Sequence, residues 1–177
     1  MAKELIGHTA HYLDASVSLS GGNFSNSFLL AGSYHKESSV SPGNFSDRKV
    51  SIRFNFDHRS IDERFKIQFS NNILYDDNQL RPTDLTRLAI TLAPIVPSLI
   101  NSDGSLNWAP NPSGTSTINN PLAANLNRYR SQSINLLSNI NFSYRIWDKL
   151  NFSTAVGFNR LETDEVTTNP KKPDAQK

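Results

Sequence analysis

The chain has 177 residues, enough for one domain with a sizeable core or for part of something larger. Its hydrophobic share of 37% and mean hydropathy of -0.47 are low for a compact globular protein, and a net charge of +2 with no basic cluster beyond Lys171-Lys172 lacks the electrostatic footprint of a nucleic-acid binder. The absence of cysteine excludes disulfides and thiolate metal sites.

Residues 1–12 carry little pattern and are expected to form a loop entering the first strand. Residues 14–20 alternate Ala15, Val17, Leu19 against Ser16, Ser18, Ser20, and Gly21-Gly22-Asn23 then turns the chain. Residues 28–35 resume as a strand with Phe28, Leu30, Gly32 and Tyr34 on one side, although Leu29 and Ala31 blur its facing. A polar connection is expected over residues 36–48, around Pro42-Gly43. Val50, Ile52, Phe54 and Phe56 alternate with Ser51, Arg53, Asn55 and Asp57, and residues 59–63 reverse the chain. Phe65, Ile67, Phe69, Ile73 and Tyr75 follow, and this strand is expected to dissolve at Asp76-Asp77-Asn78.

Over residues 79–130 alternation is lost, and prolines at 82, 94, 97, 110, 112 and 121 predict a long loop with a short helix around residues 83–92. Loops beyond about 12 to 15 residues are uncommon in compact domains and usually functional. The clearest pattern comes next, over residues 134–159. Ile134, Leu136, Ile140, Phe142, Tyr144 and Ile146, then Leu150, Phe152, Val156 and Phe158, fall at period two against a largely polar set, so Trp147-Asp148-Lys149 joins a long antiparallel hairpin. Residues 162–177 are charged and without pattern.

The expected fold is therefore all-β, an antiparallel meander of about six strands. Its connections run short, long, short, long, short, so all tight turns fall at one end of the sheet and both long loops at the other. Transmembrane barrels of bacterial outer membranes have that asymmetry, with long loops on the extracellular side. No window reaches the roughly 18 to 20 apolar residues of a spanning helix. The nearest, residues 85–100, carries Arg87, Pro94 and Pro97, and no apolar run of signal-peptide length follows Met1-Ala2-Lys3. Any membrane contact would be made with strands.

Several stretches resemble a known family. Asp14-Ala15-Ser16-Val17-Ser18-Leu19-Ser20-Gly21-Gly22-Asn23 is similar to the Ser-Gly-Gly strand end of the SusC/RagA family of TonB-linked outer-membrane receptors of Bacteroidetes-type bacteria. Ala31-Gly32-Ser33-Tyr34-His35 resembles its following strand, and residues 48–58, with Arg53, Asn55, Asp57 and His58 spaced Arg-x-Asn-x-Asp-His, resemble the next. Ala93-Pro94-Ile95-Val96-Pro97, Asp103-Gly104 and Asn120-Pro121-Leu122-Ala123 match in order the landmarks of that family's long loop. The likeness spans residues 3–168. It implies a piece of a barrel of about 22 strands, with residues 1–177 forming part of the wall, residues 79–130 its long loop, and nothing similar to the plug, TonB box or closing strand. The implied receptor imports glycan or peptide oligomers through the outer membrane, with a SusD-like surface lipoprotein, TonB and outer-membrane lipid as partners and no cofactor. A soluble all-β sandwich that binds a ligand, or a surface adhesin, is the alternative.

No catalytic motif appears, and an enzyme is not expected. His8, His11, His35 and His58 are scattered and read as surface or lumen residues, with no metal site expected. Asp76-Asp77-Asn78 and Asp103-Gly104 read as turn chemistry, and Glu162, Asp164 and Glu165 as a solvated charge run. The Asn-Phe-Ser triplets at 23, 44, 141 and 151 read as alternation or loop rather than as glycosylation sites. Trp108, Arg128 and Tyr129 in the long loop are the candidates for ligand contact, since aromatic faces and fork-like donors suit sugars or peptides. Tyr34, Tyr75, Tyr144 and Trp147, near strand ends, suit an interfacial aromatic girdle.

Overall fold

A computed structural model of the chain describes residues 5–81, 83–93 and 95–169. Six strands, β1 (Tyr12–Gly22), β2 (Asn26–Ser38), β3 (Ser46–Arg59), β4 (Phe65–Asn78), β5 (Arg128–Trp147) and β6 (Leu150–Thr168), pair in sequence order, each antiparallel to the one before, in a single open sheet. The tight connections, residues 23–25, 60–64 and 148–149, lie at one end, and the longer ones, 39–45 and 79–127, at the other. That is the segregation the alternation predicts.

Directly opposed residues of antiparallel strands share a face, so the register sorts every side chain. One row crosses all six strands as Leu19, Leu30, Phe54, Asn71, Ser138 and Phe158, and the next as Gly21, Phe28, Phe56, Phe69, Ile140 and Val156. Between them on the opposite face runs Ser20, Leu29, Asn55, Ser70, Asn139 and Gly157. The sheet therefore has one continuous apolar side, extended by the ring contacts Phe54 with Phe69, Phe65 with Phe142 and Phe142 with Phe152. The other side is mostly serine, asparagine and charge. The unclear facing of β2 is resolved: Phe28, Leu30 and Tyr34 join the apolar side.

Nothing in the described residues covers that apolar side. Ile140 is 41% exposed, Phe158 55% and Val156 62%. Strands β1 and β6 are exposed along their whole length on both faces, as margins with a neighbour on one side only.

Polar pairs interrupt the apolar side: Asn26 with His58 toward the tight-turn end, Arg160 with Glu162 on β6 opposite Leu136 and Ile134, and Asn71 with Ser138 in mid-sheet. Asn71 and Ser138 stand opposite one another, and Asn71 Nδ2 donates to Ser138 Oγ at 2.6 Å. Each satisfies part of the other where phenylalanines surround them. Ser138→Ala strands the Asn71 amide and is expected to cost about 1–3 kcal/mol, whereas the double change Asn71→Leu with Ser138→Ala is expected to recover most of it. Urea titration of the four forms of this double-mutant cycle checks the coupling; equal losses in the single and double variants would show the bond to be idle.

The only buried hydrophobic cluster among the described residues lies at the long-loop end, built by the excursion itself. Leu85, Ala89, Leu99 and Leu122 close around Leu5, with Ile6, Leu92, Val96, Leu106 and Ala124 packed against them. Helix α1 (Thr86–Thr91) supplies Ala89, shorter than the expected 83–92. The Asp84 carboxylate accepts the Thr86 amide at its start. A 3-10 turn over Pro121–Leu126 supplies Leu122, and Asn120 caps it, with Pro121 at a position where a missing amide hydrogen costs nothing.

Strand ends depart from expectation. β2 runs on to Ser38 and β3 begins at Ser46, so the expected 36–48 connection shrinks to 39–45. β4 continues through Asp76-Asp77-Asn78, which pair with Ser133, Gln132 and Ser131 rather than forming a turn. β6 runs to Thr168, so Glu162, Asp164 and Glu165 belong to a strand. Backbone pairing carries these polar ends beyond the apolar rows, where no alternation marks them. Residues 1–4 and 170–177 lie outside the described residues.

Candidate functional site

Among the described residues, hollows open on the polar side at the tight-turn end and in mid-sheet. The larger, about 860 Å³, sits toward the tight-turn end, where Asp57, Arg59, Lys66, Gln68, Asn141 and Ser153 line it. Gln68 Nε2 donates to Asp57 Oδ1 at 2.9 Å, spanning β4 and β3. The smaller, about 210 Å³, is lined in mid-sheet by Arg53, Asn55, Ser70, Asn72, Leu137 and Asn139. The larger lining mixes hydroxyls and amides with Asp57, Arg59 and Lys66, charges of both signs, and the smaller sets Arg53 among amides, which suits a hydrated path or a polar ligand.

The three residues singled out for ligand contact are not brought together. Trp108 lies half-buried in the excursion, its carbonyl accepting the Ser116 hydroxyl at 2.8 Å. Arg128 and Tyr129 are not loop residues, as expected, but open β5, where they pair with Thr168 and Thr167. Successive strand residues face opposite ways, so their side chains leave on different sides of the sheet. Tyr129 donates to Glu165 Oε1 at 3.2 Å. The long-loop end is instead organised by pairs the sequence did not single out. Arg130 grips Asp77 in a fork, Nε to Oδ1 at 2.8 Å and Nη2 to Oδ2 at 3.1 Å, and Arg81 stacks over the Phe45 ring at 5.4 Å, tying the 39–45 loop to the start of the excursion. Burial holds the Arg81 guanidinium below its ordinary pKa.

Asp103-Gly104 does form a turn. Gly104 takes φ +84, and Asp103 Oδ1 accepts the Ser105 hydroxyl at 2.6 Å and its amide at 2.9 Å, which holds the carboxyl below the usual carboxylate range. Asn141 and Asn151 lie in β5 and β6. Tyr34 and Tyr75 share one row of the apolar side, separated by Val50, near the long-loop end. Tyr144 lies toward the opposite end, and Trp147 is 70% exposed beside the β5–β6 turn, after an irregularity in register between Arg145 and Trp147.

A further grouping lies on the polar side at the long-loop rim. His35, Glu37 and Asp47 place one ligand atom each within 4.8 Å of one another. The scattered histidines gave no sign of this, because β2 and β3 meet beyond the point where alternation is visible.

Searched against models of known protein families, the chain matches none, and no curated protein is significantly similar to it. No helix among the described residues is long and apolar enough to cross a membrane, which has no bearing on strands.

Proposed function

We propose that the chain forms part of the wall of a TonB-dependent outer-membrane receptor that imports glycan or peptide oligomers with a SusD-like lipoprotein. The observation that carries this reading is an uncovered apolar side, backed by a polar side, on a sheet whose two margins are both open. In water each large apolar side chain left uncovered forgoes about 1.5–3 kcal/mol of burial. Open margins also invite pairing with other chains. Hydrocarbon on one side, a water-filled lumen on the other and further strands at each margin would answer all three features at once.

The dimensions agree. The apolar positions of β4 run from Phe65 to Tyr75 and those of β5 from Ile134 to Tyr144. Eleven residues at about 3.4 Å each, tilted by about 45°, rise roughly 25 Å, the height of the lipid-facing band of such barrels. Tyr34 and Tyr75 at one boundary and Tyr144 at the other stand where an aromatic girdle belongs. The resemblance to the SusC/RagA family supplies the transport reading. In it TonB delivers the energy elsewhere in the receptor, and this part of the wall is passive and catalyses nothing. It holds a polar path and presents the excursion to substrate and lid.

Fractionation of cells producing the native protein tests the reading. The protein is expected in the outer-membrane fraction, resistant to carbonate extraction and released by detergent. Recovery as a soluble, cooperatively folding monomer without detergent would overturn it and favour a sandwich. Retention on the surface with no dependence of substrate uptake on the gene would leave an adhesin.

A further inference from the structure

We propose that His35, Glu37 and Asp47 bind one divalent first-row transition ion of the zinc class, with Asp76 as a fourth donor and Asp14 orienting the histidine. Two adjacent rows of the polar side bring these residues together across four strands. One reads Asp14, His35, Lys49 and Asp76, the next Tyr12, Glu37, Asp47 and Asn78. Side chains two residues apart on a strand share a face, so all eight crowd one patch where the long connections begin.

The imidazole is already set for a metal. Asp14 Oδ1 lies 2.9 Å from His35 Nδ1, and a carboxylate only accepts, so Nδ1 carries the proton. In the neutral ring Nε2 then holds the lone pair, and it faces Glu37 Oε2 at 3.8 Å. That gap is too long for a hydrogen bond. It is close to the separation of roughly 3.3–3.5 Å that two ligands adopt around one tetrahedral zinc with bonds of about 2.0–2.2 Å. A carboxylate holding the far nitrogen of a ligating histidine is the usual outer support of such sites. Edge-on packing of Tyr12 against His35, centroids 5.0 Å apart, fixes the ring plane.

Asp47 points to a missing partner independently. It is 2% exposed, its Oδ2 takes Lys49 Nζ at 2.8 Å, and its Oδ1 is buried with no donor. The carboxyl of Asp76 abuts that of Asp47, and Asp76 Oδ1 is likewise buried without a donor. Two neighbouring carboxyls, each with a buried oxygen that lacks a donor, are costly unless something positive stands near both. Lys49 is the single fixed cation in these two rows, against Asp14, Glu37, Asp47 and Asp76. A nitrogen donor beside the oxygens favours zinc, iron or nickel over calcium or magnesium, which prefer oxygen-only cages. An ion here would tie β2, β3 and β4 together at the rim, whichever medium surrounds the sheet, so the proposal does not depend on the receptor reading.

Zinc titration of the purified, metal-stripped protein, followed by calorimetry and by the d–d spectrum of cobalt in its place, tests this. One equivalent is expected to bind, with a cobalt spectrum of nitrogen–oxygen coordination. His35→Gln and Asp47→Asn should each weaken binding at least tenfold while strand content is unchanged by circular dichroism. His8→Gln with His11→Gln, the other histidines of this end, should leave it intact, and calcium at the same concentration should not compete. Absence of stoichiometric binding in the folded protein, or binding that survives both His35→Gln and Asp47→Asn, overturns the proposal, as does binding lost only with His8 and His11.

Discussion

Ile140→Arg is expected to be the most damaging single change in the sheet, because it sets a guanidinium in the middle of the apolar side. Ile140 stands between Phe69 of β4 and Val156 of β6, in the row below the Asn71 and Ser138 pair. Arginine at the midplane of a lipid-facing wall costs about 2–4 kcal/mol, a large share of the roughly 5–15 kcal/mol by which a domain is stable. The next residue, Asn141, faces the other way into the large polar hollow, so Asn141→Arg is expected to be nearly neutral. Depth supplies the finer contrast. Tyr75→Arg, at the boundary row, is expected to cost only about 0–1 kcal/mol, since a charge there reaches the headgroups. Urea titration of the three variants folded into phosphatidylcholine vesicles, read by intrinsic tryptophan fluorescence, gives the order directly. A penalty indifferent to depth, or one larger at Asn141 than at Ile140, would remove lipid as the medium of that side.

Asn120 governs the excursion. It is 2% exposed, and one side chain makes three bonds: Nδ2 donates to the Leu99 carbonyl at 2.7 Å and to the Asn107 carbonyl at 2.8 Å, while Oδ1 accepts the Leu122 amide at 2.9 Å. Three segments of the loop thus meet at one amide beside the leucine cluster. Asn120→Ala takes their side-chain partner from the Asn107 carbonyl and the Leu122 amide and one of two donors from the Leu99 carbonyl, which keeps the Asn107 amide at 2.9 Å, at an expected cost of about 1–3 kcal/mol. Asn120→Asp is expected to be worse, since it turns acceptor oxygens toward two carbonyl oxygens. Limited proteolysis should find new cuts between residues 79 and 127 in both variants with the six strands still protected from hydrogen exchange. If sheet and excursion lose protection together, the lobe is not a separate cooperative unit.

How far the sequence could be read follows from where the two faces differ. Val50 to Phe56 and Ile134 to Tyr144 announce themselves because one side of each strand is apolar and the other polar, and a period of two is the only record that contrast leaves. Beyond those rows the strands continue with polar residues on both faces, as at Ser46-Asp47-Arg48, Asp76-Asp77-Asn78 and Glu162 to Thr168. Their pairing rests on the backbone and has no signature in side chains. The leucine cluster was illegible for a different reason. Leu5, Leu85, Leu99 and Leu122 come from four distant stretches with no common period, and Leu5 stands in a segment that reads as featureless. Arg128 and Tyr129 looked like neighbours in a loop, and only the start of β5 reveals that they part company. The rim grouping of His35, Glu37 and Asp47 needed the register of β2 on β3, which the Pro42-Gly43 connection seemed to interrupt.

The excursion leaves the sheet after Asn78 and returns to it at Arg128, three residues before Ser131, which faces Asn78 in the register of β4 on β5. Its stems are therefore anchored side by side, and its interior is largely its own, borrowing chiefly Leu5 from outside. A segment held in this way is a replaceable cassette: natural variation or deliberate grafting can rewrite it without disturbing a single rung of the ladder beneath. Related chains would then be expected to keep their strands and diverge in this one stretch, acquiring new preferences on an unchanged frame.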